Sequence, residues 1–184
     1  MEHPSNLIRF VNLVRRNVTH RHYDEVHVET AINDVAFERL CRYVRKSPKT
    51  MLMLTGWNEP WIKMRVQADF LTNKEYADIL ADRYTKLGHI TRNVGLHTHL
   101  FHPKTMKVPT FKQQFDKIMQ NLRFIKSLGF CISDFAPGWW SYNYDSVKAC
   151  YLAGIKRFHC KTELLPIENM EYVKVFRNCD DFEL

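Results

Sequence analysis

Apolar positions along this chain follow two rhythms that alternate. Within Asn6-Leu-Ile-Arg-Phe-Val-Asn-Leu-Val-Arg-Arg, positions 7, 8, 10, 11, 13 and 14 are apolar. That spacing, opened by Pro4-Ser5-Asn6, predicts an amphipathic helical extension over residues 1–24. A lid, a dimer contact or a membrane-surface helix would use such a face, and packing on its own domain is the commonest use. Val26 to Ile32 then reads as a strand, and Val35 to Lys46 as a helix with Phe37, Leu40, Cys41 and Val44 on one side. Thr50-Met-Leu-Met-Leu-Thr55 is a continuous apolar run, as expected of a strand buried on both faces. A segment holding Trp57, Pro60 and Trp61 connects it to a helix over Lys74–Leu87, closed by Gly88.

The alternation continues to the end of the chain. Val94 to His97 predicts a strand, Thr110 to Leu128 a long helix closed by Gly129, and Cys131 to Phe135 a strand. Tyr144 to Leu152 predicts a helix ended by Gly154, Ile155 to Cys160 a fifth strand and Tyr172 to Phe176 a sixth. Regular exchange of strand for helix means a largely parallel sheet covered by helices. The expectation is an α/β fold: a distorted (β/α) barrel, complete or incomplete, of about six to seven mostly parallel strands.

With no linker or repeat to divide it, the chain of 184 residues is expected to form one domain, 1–184, large enough to sustain its own core. At 45% apolar and 26% charged it has the balance of a soluble globular protein. A net charge of +7 favours anionic partners, but the basic residues are dispersed and read as solvated helix faces, which argues against nucleic acid. Cys41, Cys131, Cys150, Cys160 and Cys179 form no CxxC pair, so neither a disulfide framework nor a four-cysteine zinc site is expected. The start lacks the pattern of a signal peptide and no apolar stretch has transmembrane length, so a cytoplasmic protein is expected. The oligomeric state is left open.

In such folds chemistry gathers at the carboxyl ends of the strands. There the chain places His97, His99 and His102 within six residues. Imidazoles this close, joined by a carboxylate, are the usual donors of an open catalytic metal site. His97 and His99 point the same way on an extended strand, and His102 could fold back after a turn. Asp34 is the nearby carboxylate, with helix N-capping as its equally weighted alternative role. Ala136-Pro-Gly-Trp-Trp-Ser-Tyr-Asn sets Pro137, Trp139 and Trp140 just past a strand, where aromatic rings can line a cleft and touch substrate. At least one of the two tryptophans is expected to be exposed.

In this order, these residues resemble the polysaccharide deacetylase (NodB-homology, carbohydrate esterase family four) superfamily, over Val26 to Thr162. Asn33-Asp34 sits where that family has paired aspartates, and Thr50 to Gly56 is similar to its second strand. Gly88-His89-Ile90, Leu96-His97-Thr98 and His102-Pro103 resemble its histidine motif, and Phe135-Ala-Pro-Gly-Trp139 its Arg-x-Pro motif. The resemblance implies that Asp34, His97 and a second histidine, His99 or His102, hold a divalent metal, usually zinc. It also implies hydrolysis of an N-acyl bond in an amino sugar or related small amide.

Two departures narrow this. Asn33 stands in the place of the family's aspartate base, and Phe135 in the place of the arginine that steadies it. No Leu-x-His motif near the end supplies the usual proton donor, so Asp134 and His159 are the expected substitutes. A degenerate relative that binds glycan without cleaving it is the alternative, and a basic binder of nucleic acid or anionic surfaces a third.

Overall fold

The computed structural model describes residues 23–101, 107–161, 167 and 169–184. Apart from Tyr23 and Asp24, the N-terminal extension lies outside them, as does His102. Among the described residues seven strands carry the fold: β1 (Glu25–Val28), β2 (Met51–Thr55), β3 (Val94–Thr98), β4 (Asp134–Pro137), β5 (Arg157–Cys160), β6 (Glu171–Lys174) and β7 (Asn178–Asp180). All described pairings are parallel, in the order β6-β5-β4-β3-β2-β1-β7. Helices α1 (Asp34–Lys46), α2 (Pro60–Arg65), α3 (Asn73–Gly88), α4 (Phe111–Ser127) and α5 (Tyr144–Leu152) lie between strands.

The two edge strands are neighbours in sequence, and this makes the sheet curl. Only residues 175–177 join β6 to β7, a reach of about 14 Å. Seven strands laid flat would separate their edges by roughly 29 Å. The sheet therefore bends into a half-barrel, an incomplete α/β barrel. Val175 donates to Cys160 O beside β5, while Arg177 O accepts from Asp24 and Glu25 at β1.

Alternation along each strand splits the sheet into two chemistries. Val26, Val28, Leu52, Leu54, Val94, Leu96, Phe135 and Phe158 are all buried in one core cluster, together with Leu40 of α1, Tyr84 and Leu87 of α3, Ile118 and Leu122 of α4 and Val147 of α5. The residues between them face the concave side and are largely polar. Local signals place the helices as the sequence predicts. Asn33 caps α1 by accepting from Ala36 N at 3.0 Å, and Thr72, Thr110 and Asn143 open α3, α4 and α5 with reciprocal capping boxes.

Some boundaries differ. β4 begins at Asp134 rather than Cys131, because Phe130 and Ile132 pack into the core from a loop and so look like strand residues. The Trp57–Trp61 connection contains α2, started by Pro60 at its first turn. Gly129 and Gly154 take the left-handed backbone that closes a helix, with φ of 85° and 82°. Gly88 does not: it is the last helical residue, and its missing side chain makes room for the Phe130 ring. No helix among the described residues is long and apolar enough to cross a membrane.

Candidate metal centre

Glu25 and His27 alternate along β1, Glu29 follows directly after it, and all three share its concave side. The register sets His27 level with Met53, Gly95 and Asp134, and the next level holds Glu29, Thr55, His97 and Ala136. Donor atoms of His27, Glu29 and His97 all lie within 4.8 Å of one another, and all three residues are buried.

Both histidines are oriented from behind. His97 Nδ1 lies 3.0 Å from the Ala136 carbonyl, which can only accept, so Nδ1 carries the hydrogen. Its bare Nε2 then faces Glu29 Oε1 at 3.2 Å. His27 Nε2 donates to Glu25 at 2.7 Å, which leaves Nδ1 bare and 3.7 Å from Asp180 Oδ1. An imidazole whose outer nitrogen is tied to a carboxylate or carbonyl is the arrangement that fixes a metal-binding tautomer. Burial and the neighbouring His97 hold His27 down to about 4, so it is neutral at pH 7, as a ligand must be.

The acidic groups divide into satisfied and unsatisfied ones. Arg65 donates to Glu29 at 2.6 Å and supports its charge against burial. Asp180 is pushed up to about 6 by burial and by the charge of Glu29. The Glu29 carboxylate and the bare nitrogens of His27 and His97 form a donor set suited to a divalent cation, zinc being the ion most used by histidine-carboxylate sites. Next to them, His99 has both ring nitrogens sealed from water without a hydrogen bond of good geometry. Nε2 is 3.3 Å from Glu29 and Nδ1 is 3.6 Å from Glu59. The residues fit the cation that the sequence implies.

Behind the centre runs a buried array of alternating acids and imidazoles. Glu25 bridges His27 to His159, whose Nδ1 is 2.7 Å away. His159 Nε2 reaches Asp134 at 3.0 Å, and Arg157 holds both Asp134 oxygens at 2.6 and 2.7 Å. Burial opposes the charge on Glu25, yet His159 and His27 hold it down to about 2. His159 is raised, its two carboxylate partners overcoming burial.

The expected site residues are thus distributed unevenly. His97 and His99 are in or beside the cluster. Asp34 is not: it begins α1, its side chain is 77% exposed, and it pairs with Arg83. The carboxylate at the end of β1 is Glu29, because β1 stops at Val28 and Asn33-Asp34 already belong to the start of α1. The capping role expected as the alternative for Asp34 falls to Asn33. Asp134 and His159 meet, but each is committed to partners in the array. Phe135 lies in the core against Phe158, on the opposite side of β4 from Asp134 and Ala136.

Pro137 is buried at the end of β4 and starts the turn that carries both tryptophans. Trp139 and Trp140 have φ of 52° and 56°, a left-handed backbone worth about 1–2 kcal/mol of strain per residue. The turn directs both rings over the histidines: Trp139 is 4.2 Å from His99 and Trp140 is 5.2 Å from His27, centroid to centroid. Both are half-buried, where the sequence alone suggested an exposed member.

Sequence reasoning missed His27, Glu29 and Asp180. The signal was present for the first two, since Glu25, His27 and Glu29 repeat every second residue in a predicted strand. Asp180 gave no signal, for it lies on a polar strand of only three residues.

No protein-family model matches the chain, and no curated protein matches it. Solved structures similar to it include a CE4 family pseudoenzyme from Bacillus anthracis, with 18% identity and a TM-score of 0.47 over 73% of this chain and 41% of that one. A mutant of the same protein with restored enzymatic activity matches with 17% identity and a TM-score of 0.47, over 73% and 42% of the two chains. The BpsB deacetylase domain from Bordetella bronchiseptica matches with 11% identity and a TM-score of 0.49, over 85% and 70%. The chain spans 42% of the length of the first of the Bacillus anthracis structures to match.

Proposed function

We propose that the concave face holds a divalent cation, zinc in the first instance, on His27, Glu29 and His97, and that the protein is a metal-dependent hydrolase of an N-acyl bond in an amino sugar or related small amide. The observation that carries this reading is the convergence of three buried donors, the two imidazoles already held in the ligating tautomer by Glu25 and Ala136. When bound, the cation supplies a Lewis acid for the acyl carbonyl and lowers the pKa of a water. The chain's own groups do the rest. Asp180, whose Oδ1 is 3.7 Å from His27 Nδ1, would accept the proton there. Trp139 and Trp140 exclude water from one side of the cleft and orient substrate. Glu25, with His159 and Asp134 behind it, keeps His27 turned toward the site.

A second reading, glycan binding without cleavage, has one observation in its favour. The oxygens of Glu29 are engaged by Arg65, His97 and His99, so proton abstraction would depend on Asp180 alone. Metal analysis and activity toward chito-oligosaccharides separate the two. Hydrolysis expects one zinc per chain, lost on His97→Ala, and chelator-sensitive deacetylation that falls at least about a hundredfold on Asp180→Asn. A protein that takes up no divalent cation overturns both readings of the centre.

A further inference from the structure

The helices return to the strands at the amino end of the sheet, away from Glu29, which follows the last residue of β1. Four loops make that return, residues 47–50, 89–93, 128–133 and 153–156, and none contains an aspartate or a glutamate. The loops lie side by side. Asn93 Nδ2 donates to the Lys49 carbonyl at 2.9 Å, the Arg92 guanidinium stands 5.8 Å from the Phe130 ring, and Lys156 N donates to Ser133 O at 2.9 Å. The side chains of Lys49, Arg92 and Lys156 are exposed. The last turns of α1, α3 and α4 add Arg45, Lys46, Lys86 and Lys126, again with no acid. Of the exposed acids nearby, Asp24 pairs with Arg177 at 3.2 Å, Asp82 holds Lys86 at 2.6 Å, and Glu171 opens β6.

Cations are ordinary at helix C-termini, where they offset the helix dipole, and this accounts for those in the last turns. It does not account for the three loop cations. Nor does it account for the last turn of α5, which has no cation and presents Tyr151 and Leu152, 40% and 55% exposed. The chain before Tyr23 joins at the same end, since Thr50 Oγ1, next to Lys49, donates to the Tyr23 carbonyl at 2.8 Å. Those 22 residues carry Arg9, Arg15, Arg16 and Arg21 against one acid, Glu2, and their apolar positions 7, 8, 10, 11, 13 and 14 have helical spacing. Cations flanking apolar and aromatic side chains suit the surface of an anionic bilayer, where lipid phosphates meet the charge and the acyl boundary takes the leucine and tyrosine. Nucleic acid would use the charge but leave the apolar positions in water.

We propose that the amino end of the sheet, together with the segment before Tyr23, is a docking surface for an anionic phospholipid membrane. It holds the molecule with the candidate metal centre turned away from the bilayer. The surface contains none of the proposed cation ligands, so it stands or falls independently of the metal reading.

The test mixes the full chain with vesicles of phosphatidylcholine, alone or with about 30% phosphatidylserine, and separates bound from free protein by sedimentation. Partitioning onto the mixed vesicles is expected to be at least about tenfold stronger, and to weaken at about 0.5 M salt. Combining Lys49→Gln, Arg92→Gln and Lys156→Gln removes three exposed charges and should weaken partitioning about a hundredfold, roughly fivefold for each cation. Tyr151→Ser with Leu152→Ser should weaken it about tenfold through lost apolar burial. Circular dichroism of each variant, expected to match wild type, checks that it folds. Equal binding to both vesicle types, or a folded triple variant that binds as wild type does, overturns the proposal. Binding to a DNA duplex without binding to vesicles assigns the face to nucleic acid and overturns it as well.

Discussion

The tightest contact on the concave side gives the sharpest prediction. Gly138 lies against the flat of the His99 ring, and a Cβ added there would sit 2.1 Å from Cδ2, 2.3 Å from Cγ and 2.7 Å from Nε2. Ordinary carbon contacts need about 3.5 Å, so Gly138→Ala demands that the ring retreat by roughly 1.4 Å. It has nowhere to go. His99 is 2% exposed and is boxed by Trp139, His97, Glu29 and Glu59. Overpacking of this kind costs about 1–3 kcal/mol. Removing the ring should remove the conflict, so in a His99→Ala background the same glycine substitution should change stability by less than about 0.5 kcal/mol. Urea unfolding of wild type, both single variants and the double variant gives the coupling energy directly. A coupling of about 1–3 kcal/mol is expected. Additive effects, with Gly138→Ala equally costly in both backgrounds, would refute the packing of His99 on Gly138.

Further predictions concern the centre and its support. His27→Ala should weaken zinc uptake as His97→Ala does, while Asp34→Ala should leave it unchanged; calorimetry with zinc alone checks this, and equal loss from Asp34→Ala would restore the placement expected from sequence. Glu25→Gln should lower zinc affinity about tenfold to a hundredfold by releasing His27, and the same titration decides it. Asp134 is buried, which opposes its charge, but His159, Arg157 and Ser133 outweigh burial and hold its carboxyl well below the usual value of 3.8. A depressed folded pKa contributes stability that is fully present above 3.8 and is lost as pH falls below it. Asp134→Asn should therefore cost only about 1 kcal/mol at pH 7, because Arg157 is 41% exposed and His159 keeps Glu25, and should flatten the acid limb of denaturation curves below pH 4. An unchanged acid limb would show that the array does not hold that carboxyl.

The order of strands and helices was legible in the sequence because each element carries its own local signal. Helical spacing and capping residues such as Thr72 and Asn143 act within one turn, and the buried run Met51–Thr55 reads as a strand wherever it lies. That His97 and His99 lie on one side was legible for the same reason: residues two apart share a face of any strand. Where a partner lies far away in sequence, local pattern has no hold. Glu29 and His97 meet because β1 and β3 both flank β2 in a fixed register. Asp180 reaches His27 because a three-residue link curls the sheet until β7 pairs with β1. Asp34 was drawn to the metal by its place after a predicted strand, yet β1 ends earlier and the helix claims that residue. Sequence thus determined which residues share a strand face and that His97 lies at a strand end. Only the tertiary structure decided that His27 and Glu29 meet His97, since register and curvature are properties of paired strands and not of any one segment.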